Sequence, residues 1–424
     1  MRHQAAVIWL ATAAVFTGSM ISRRSDAPLG LNGERSIRPY RTPPAPPASL
    51  PLVSAPPLTI SYPDVAEPGA WPTTGRQPAG VLPRPTPSRL RLTPPRVRLD
   101  AVASSFAGMR VGIVGAGIAG LACAEGLTGQ GHEVVVFDKG RGPGGRMSTR
   151  RFDTSQGEAH FDHGAQYFTV RDPAFQAQVS TWAADRLVAP WTAAGIDAYV
   201  AVPAMNSLVR ELAGRHDVHW STLVTGVERH DDGVLLRVGA GEVHDVDLVV
   251  IAVPAEQAAA LLADTAPDLA ARARAAVSEP CWTVMAAFAE PVAAERDCWA
   301  GSGDGVLGWA ARNNAKPGRT GPESWVVQAT PAWSRRHLDA DSDAVTADLI
   351  AALSTALGVT LPARIGVAAH LWRFARSAAG GPGVILDPDR GLGLCGDWLI
   401  GPRVESGWLS GTRLAERIGT ERGP

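Results

Sequence analysis

Residues 110–138 read RVGIVGAGIAGLACAEGLTGQGHEVVVFD, and the fold is decided in this stretch. Residues 111–114 are a short apolar run suited to a buried parallel strand. Gly115, Gly117 and Gly120 follow in a GxGxxG pattern, with Ala116, Ile118 and Ala119 between them. The apolar periodicity over 118–127 predicts a helix that ends near Gly129 and Gly131, and 132–137 predicts a second strand finishing at Asp138. Each piece has a task. Gly115 permits a tight turn, Gly117 lets backbone approach a pyrophosphate, and Gly120 allows close helix–strand packing. The helix N-terminus offers amides and a positive dipole end to phosphates. Asp138 stands where a carboxylate accepts hydrogen bonds from ribose hydroxyls. A glycine-rich turn without a nucleotide is the plain alternative, and the full ordered set argues against it.

The pattern alone does not choose between nucleotides. The next segment, KGRGPGGRMSTRRF (139–152), begins with Lys139 and holds Gly144, Gly145, Arg146 and Met147. It resembles the extended GGR motif of the glutathione-reductase-like and amine-oxidase-like FAD superfamily. The resemblance implies a second glycine turn near the pyrophosphate and flavin, with an arginine fork suited to phosphate oxygens. The plain alternative is a basic surface loop, since Arg141, Arg146, Arg150 and Arg151 cluster there. Near the other end, residues 391–418 read GLGLCGDWLIGPRVESGWLSGTRLAERI: an apolar strand, then Gly396 and Asp397, then a helix from about Val404. By the same resemblance Asp397 lies by the ribityl or pyrophosphate part of FAD. The helix, with Glu405, Ser406 and Gly407 in its first turn, directs its amide end at the flavin's pyrimidine ring.

Further segments resemble the bacterial renalase-like FAD oxidoreductases: FDHGAQYFTVRDPAF (161–175), VPAMNSLVREL (202–212), RNNAKPGR (312–319), HLWRFARS (370–377) and the GDW…VESGWLSG tail. The resemblance spans essentially all of 109–418. Departures are modest: Asp138 stands where Glu is common, and Leu371 and Phe374 vary a motif. The resemblance implies an α/β chain: a Rossmann-type FAD-binding domain with an inserted substrate domain on a mostly antiparallel sheet. We expect the FAD-binding domain in 109–170, 218–254 and 371–424, and the substrate domain in 171–217 and 255–370. Residues 220–254 agree, with alternating strands about an Asp-Asp-Gly turn and an apolar strand over 248–253. Gly164 and Ala165 are expected beside the flavin, and Val224 to contact adenine through its backbone.

The implied reaction is oxidation of off-pathway NAD(P)H isomers to NAD(P)+, with O2 reduced to hydrogen peroxide. Hydride transfer from such a donor needs no general base, in keeping with a chain that shows no Ser/His/Asp or paired-carboxylate constellation. Candidates for the reaction side are His163, Gln166, Tyr167, Asn314, Trp372 and Arg376. A satisfied core histidine and a packing tryptophan are the plain alternatives for His163 and Trp372. Two other functions stay open: an amine or polyamine oxidase, and a redox-silent FAD-binding module.

The totals exclude other classes. The chain has 424 residues, 45% hydrophobic, with a net charge of −1. Residues 1–108 hold 12 Arg against 5 acidic residues, so the remainder is acidic and gives no reason to expect nucleic acid as a partner. Lys139 and Lys316 are the only lysines. Cys123, Cys281, Cys298 and Cys395 form no CxxC pair and are expected as reduced, mostly buried thiols, with no metal site. Eighteen of 34 prolines precede residue 109, which predicts a disordered leader. An apolar run over 5–18 is too short to span a membrane and suits a signal-peptide core. The leader admits three readings: a secretion signal with linker, a disordered regulatory extension, or an over-extended start upstream of Met109. The third is preferred, with a cytoplasmic location. Export is the alternative if residues 1–30 are a signal.

Overall fold

Strand Arg110–Val114 is the spine of a six-stranded sheet, and every other part of the nucleotide half is placed against it. The computed structural model describes residues 96–97 and 108–421, apart from 231, 232, 240, 302 and 379. The sheet runs Ile385–Asp387, Leu392–Leu394, Leu248–Ile251, Arg110–Val114, Glu133–Phe137, Asp217–His219. All neighbours are parallel except the first pair. Val111 lies opposite Leu248 and Val134, so the Val/Ile runs sit at the sheet centre with helices or strands on both faces.

Alternation along the strands separates two cores. Val111, Ile113 and Val250 face helices Ile118–Gly129 and Val404–Thr420, where Cys123 and Leu127 join Leu414 and Ala415 in one cluster. Val114, Val249 and Ile251 face the other way, into a core with Val227, Leu236 and Ala258. That second layer holds the antiparallel hairpin Val224–His230 and Gly233–Val238, strand Glu242–Val246, and helices Ala255–Leu261 and Pro267–Ala275.

A second sheet has five antiparallel strands in the order Cys298–Ala300, Leu307–Arg312, Glu323–Ala329, Ser278–Phe288, Arg364–Ser377. Helix Ser342–Leu357 covers one face through Val345, Leu349 and Leu353. Asp341 caps that helix by accepting from the amides of Asp343 and Ala344, and Gly358 ends it with φ 67°. The hairpin Arg150–Thr154 and Gly157–Phe161 covers the other face, with Ala159 and Phe161 against Met285 and Val326.

The expected α/β architecture, a parallel nucleotide sheet joined to an antiparallel one, is present. The expected boundaries need correction. The division at 370/371 falls inside strand Arg364–Ser377, which pairs continuously with Ser278–Phe288. Residues 255–275 pack on the nucleotide sheet rather than the antiparallel one, because Ala255, Ala258, Leu269 and Ala273 share the core of Val249 and Ile251. Residues 173–213 likewise share the core of the nucleotide helices through Phe175, Trp182 and Leu208. The leader expectations lie outside the described residues, except that Arg96–Val97 pairs parallel with Val243 and His244. Among the described residues no helix is long and apolar enough to cross a membrane.

Candidate functional site

The chain turns at Gly115 (φ 108°) directly after the central strand, and its amide donates to Phe137 O at 2.8 Å. A Cβ on Gly120 would lie 2.0 Å from Gly115 O, so helix Ile118–Gly129 can start this close to the strand only with glycine there. Beyond the carboxyl ends of the parallel strands opens a cavity of about 590 Å³. Gly117, Ile118 and Ala119 line one side, with Gly144, Arg146 and Met147 beside them. Gly396, Asp397, Arg403, Val404 and Gly407 line the rest, with Ala165, Ala252, Val253 and Ala375.

Two helix N-termini converge here, because Gly407 lets helix Val404–Thr420 approach Ile118. Both positive dipole ends and two arginines therefore face one space. Gly117 has no atom within 4 Å of its Cβ direction, which leaves a backbone-lined cradle. An extended anionic dinucleotide fits this donor set: amides for phosphates, backbone for close approach, and little side-chain bulk.

Arg146 donates two parallel hydrogen bonds to Asp397, at 2.8 and 2.6 Å, joining the two glycine turns of the cavity. Asp138 accepts from the amides of Ala116 at 2.7 Å and Gly140 at 2.6 Å, which ties the first glycine turn to the second strand's end. Asp138, Lys139 and Val224 are not on the cavity wall: Lys139 is exposed and Val224 is packed in the second core. Gly115, Ala116, Gly120 and Gly145 are not among the cavity's lining residues either.

Glu405 differs from expectation. Its carboxylate accepts from the amides of Arg171 at 2.6 Å and Asp172 at 2.8 Å and pairs with Arg403 at 3.1 Å, so it anchors the neighbouring helix start. Ser406 is buried off the wall, and Gly407 reaches it.

A second cavity, about 580 Å³, shares Arg146, Ala165 and Ala375 with the first. Trp309, Trp372, Gln328 and Arg376 give it its chemistry, with Gly164, Cys281, Gly308, Ala329 and Pro331. Segment 163–165 lies at the junction of the cavities, with Gly164 on the wall of the second and Ala165 on both. A Cβ on Gly164 would sit 2.1 Å from Arg146 O, Ala165 N donates to Arg146 O at 2.8 Å, and Trp372 Nε1 donates to His163 O at 2.9 Å. Burial pushes the Cys281 thiol up to about 11, so it stays protonated at neutral pH.

Of the six reaction-side candidates, Trp372 and Arg376 reach this wall. His163 stands behind it, its ring 5.0 Å from Trp372 and 5.2 Å from His370. Burial, then His370 and Arg150, lower its pKa to about 4, so the imidazole is neutral at pH 7. Tyr167 faces a third, smaller cavity of about 250 Å³ shared with Arg403 and Val404, and burial raises its phenol to about 12. Gln166 is spent inside the protein, donating to Asp162 O and accepting from Lys316 at 3.2 Å. Asn314 is not brought to the cavity either: it donates to Glu323 at 3.2 Å and accepts from Ser324 N at 3.1 Å.

Next to segment 163–165 lies a charge cluster with no sequence expectation attached. Asp162, fully buried, accepts from Lys316 at 3.2 Å and Arg319 at 2.8 Å, and also from Thr149 at 2.8 Å and Met205 N at 3.0 Å. Although its own burial acts the other way, the two cations hold the Asp162 carboxyl well below the usual range. Burial lowers Lys316 to about 8, against the pull of Asp162. The available signal was compositional: Lys316 is one of two lysines in a chain that otherwise uses arginine. Gln328 and Arg403 were also missed, since a residue that faces a cavity from a strand or a loop carries no motif of its own.

Comparisons with known proteins accord with this geometry. Residues 113–181 match the NAD(P)-binding Rossmann-like domain. Residues 191–419, more than half of the chain, match the flavin containing amine oxidoreductase model. A triple variant of putrescine oxidase superposes with a TM-score of 0.58 at 14% identity, over 74% of this chain and 99% of that one. Cyclohexylamine oxidase from Brevibacterium oxydans IH-35A gives 0.56 at 14% identity, over 74% and 99%. An Exiguobacterium sp. 255-15 protein proposed to be a protoporphyrinogen oxidase gives 0.58 at 16% identity, over 74% and 100%. At these identities the likeness is one of fold. A 45-residue stretch is 44% identical to 4,4'-diapophytoene desaturase of Staphylococcus aureus (strain Newman), and covers 11% of this chain and 9% of the desaturase. The chain belongs to the flavin-containing amine oxidoreductases.

Proposed function

We propose that the enzyme oxidises dihydronicotinamide nucleotides reduced at an off-pathway ring position, in the manner of renalases. The balanced reaction takes the donor, O2 and one proton to NAD(P)+ and hydrogen peroxide. FAD, when bound, supplies the two-electron chemistry. Gly117, Ile118 and Ala119 would hold its phosphates through backbone amides, with Arg146 and Asp397 closing the opposite wall.

One observation carries this reading: the chemistry of the second cavity. Trp309 and Trp372 give flat apolar faces for a ring, and Arg146 and Arg376 supply the charge. No carboxylate stands among its described lining residues. A cationic amine would find no carboxylate on this wall to pair with, whereas a neutral ring carrying phosphates asks for none. His163 is neutral at pH 7 and lies behind the wall, and hydride loss from a dihydropyridine asks for no base. The protein's work is to hold the ring flat, orient it and exclude water.

An amine oxidase is the second reading, favoured by the family match. Anaerobic mixing of the yellow protein with normal NADH, with an NADH isomer mixture and with a panel of primary amines and polyamines separates the two. Bleaching by the isomers, reversed by air with peroxide formed, is the expected result. Bleaching by an amine and not by the isomers overturns the proposal.

A further inference from the structure

We infer that Gln328 is the specificity-determining residue of the second cavity and that it selects a ring bearing a primary carboxamide. This rests on the reading of the reaction given above. Gln328 lies near the end of strand Glu323–Ala329, opposite Trp309 on one neighbouring strand and Thr283 on the other. Its Nε2 donates to Gly164 O at 2.8 Å and approaches His163 O at 3.4 Å. Two carbonyl oxygens beside that atom admit only the NH2 end, so the amide cannot be flipped. Oε1 is left as the other end of a fixed group on the cavity wall, and it accepts no hydrogen bond among the described residues.

The rest of the wall makes this oxygen consequential. Trp309, Trp372, Ala329 and Pro331 offer no acceptor, and Arg146 and Arg376 only donate. Gln328 Oε1 is therefore the strong side-chain acceptor in a cavity of rings and donors. A ligand that brings an aromatic face, a carbonyl oxygen and an N–H satisfies all three, and a primary carboxamide on a flat ring is that combination. The corresponding carboxylate would set its negative oxygens against Oε1 and has no N–H to give. A site built to bond an N–H rejects the analogue lacking it, because its own acceptor is left unmet. The bond to Gly164 O also fixes the amide to segment 163–165, whose Ala165 lines both cavities, so recognition is tied to the junction where ligand and cofactor meet.

The test is binding to the oxidised holoenzyme, read as perturbation of the flavin absorption band, with nicotinamide mononucleotide and nicotinic acid mononucleotide as probes. The wild type is expected to favour the amide by roughly ten-fold or more. Gln328→Met, close in shape and without the acceptor, should bring the ratio of the two affinities toward one at unchanged FAD content. A purely structural role would weaken both probes alike and leave the ratio standing. An unchanged ratio in Gln328→Met, no amide preference in the wild type, or no binding of either probe overturns the inference. If Gln328→Met loses FAD, Gln328→Glu serves: it keeps the length and an acceptor oxygen, so it should widen the amide preference by repelling the carboxylate probe more, and a narrowed preference would overturn the inference. Isomer bleaching on the same preparation keeps the two proposals apart. Amide preference without bleaching sinks the reaction and spares Gln328, and bleaching without amide preference does the reverse.

Discussion

Arg146 and Asp397, 251 positions apart, meet through two parallel hydrogen bonds of 2.8 and 2.6 Å on the wall of the cofactor cavity. Each belongs to a glycine-rich turn, and the guanidinium–carboxylate fork fixes both the distance and the plane between those turns. The pair preorganises a site that must grip an extended ligand from two sides.

Asp397→Asn should therefore weaken FAD retention more than it weakens the fold. Loss of a charge-assisted bond is worth about 1.5–3 kcal/mol, or roughly ten- to a hundred-fold in affinity. Titration of FAD into apoprotein, followed by quenching of flavin fluorescence, measures it. Unchanged affinity would show that the pair does not shape the cavity.

The buried cluster predicts an asymmetry. Asp162→Asn leaves Lys316 and Arg319 buried without their carboxylate and should cost about 3–5 kcal/mol. Lys316→Met leaves Asp162 still bonded to Arg319, Thr149 and Met205 N and should cost clearly less. Urea denaturation of the two variants decides the order, and equal losses would contradict it.

His163 predicts a pH dependence. Its folded value is depressed to about 4 from 6.5, so between those limits the unfolded chain holds the extra proton. Stability from this group is complete above 6.5 and is lost as pH falls toward 4, by about 3 kcal/mol at most. His163→Phe, which keeps a ring against Trp372, should lose less stability than the wild type over that window. Melting temperatures at pH 7, 5.5 and 4 give the comparison.

Two glycines of one helix should behave oppositely. Gly120→Ala drives a methyl to 2.0 Å from Gly115 O and should abolish FAD binding by displacing the first turn. Gly129→Ala meets nothing within 4 Å and should leave FAD content unchanged, with stability neutral or raised by about 0.5–1 kcal/mol. Flavin-to-protein absorbance ratios and melting curves read both.

The legible part of this protein was the part whose physics is local. Gly115, Gly117 and Gly120 follow an apolar strand and precede an apolar helix, so turn, close approach and packing are all written within about ten residues. The segment 163–165 and the turns at Gly145 and Gly396 were legible for the same reason. Element ends were less so, because strand Arg364–Ser377 continues past the expected boundary only through its pairing with Ser278–Phe288. Asn314, Gln166 and Glu405 looked like ligand-facing polar groups, yet each is consumed by a protein partner. Nothing in the residues themselves says which way a polar side chain turns when Glu323, Lys316 or the amide of Arg171 is the competitor.

By itself, then, the sequence determined a dinucleotide fold, its order of motifs and a cofactor site made largely of backbone, because glycines, strand ends and helix starts encode those directly. Tertiary structure alone decided the second cavity. Its wall takes Trp309, Gln328, Trp372 and Arg376 from three strands of the antiparallel sheet, and Arg146 and Gly164 from outside that sheet. These residues are separated by up to 230 positions, from Arg146 to Arg376, and only the packing of two sheets gives them a common face.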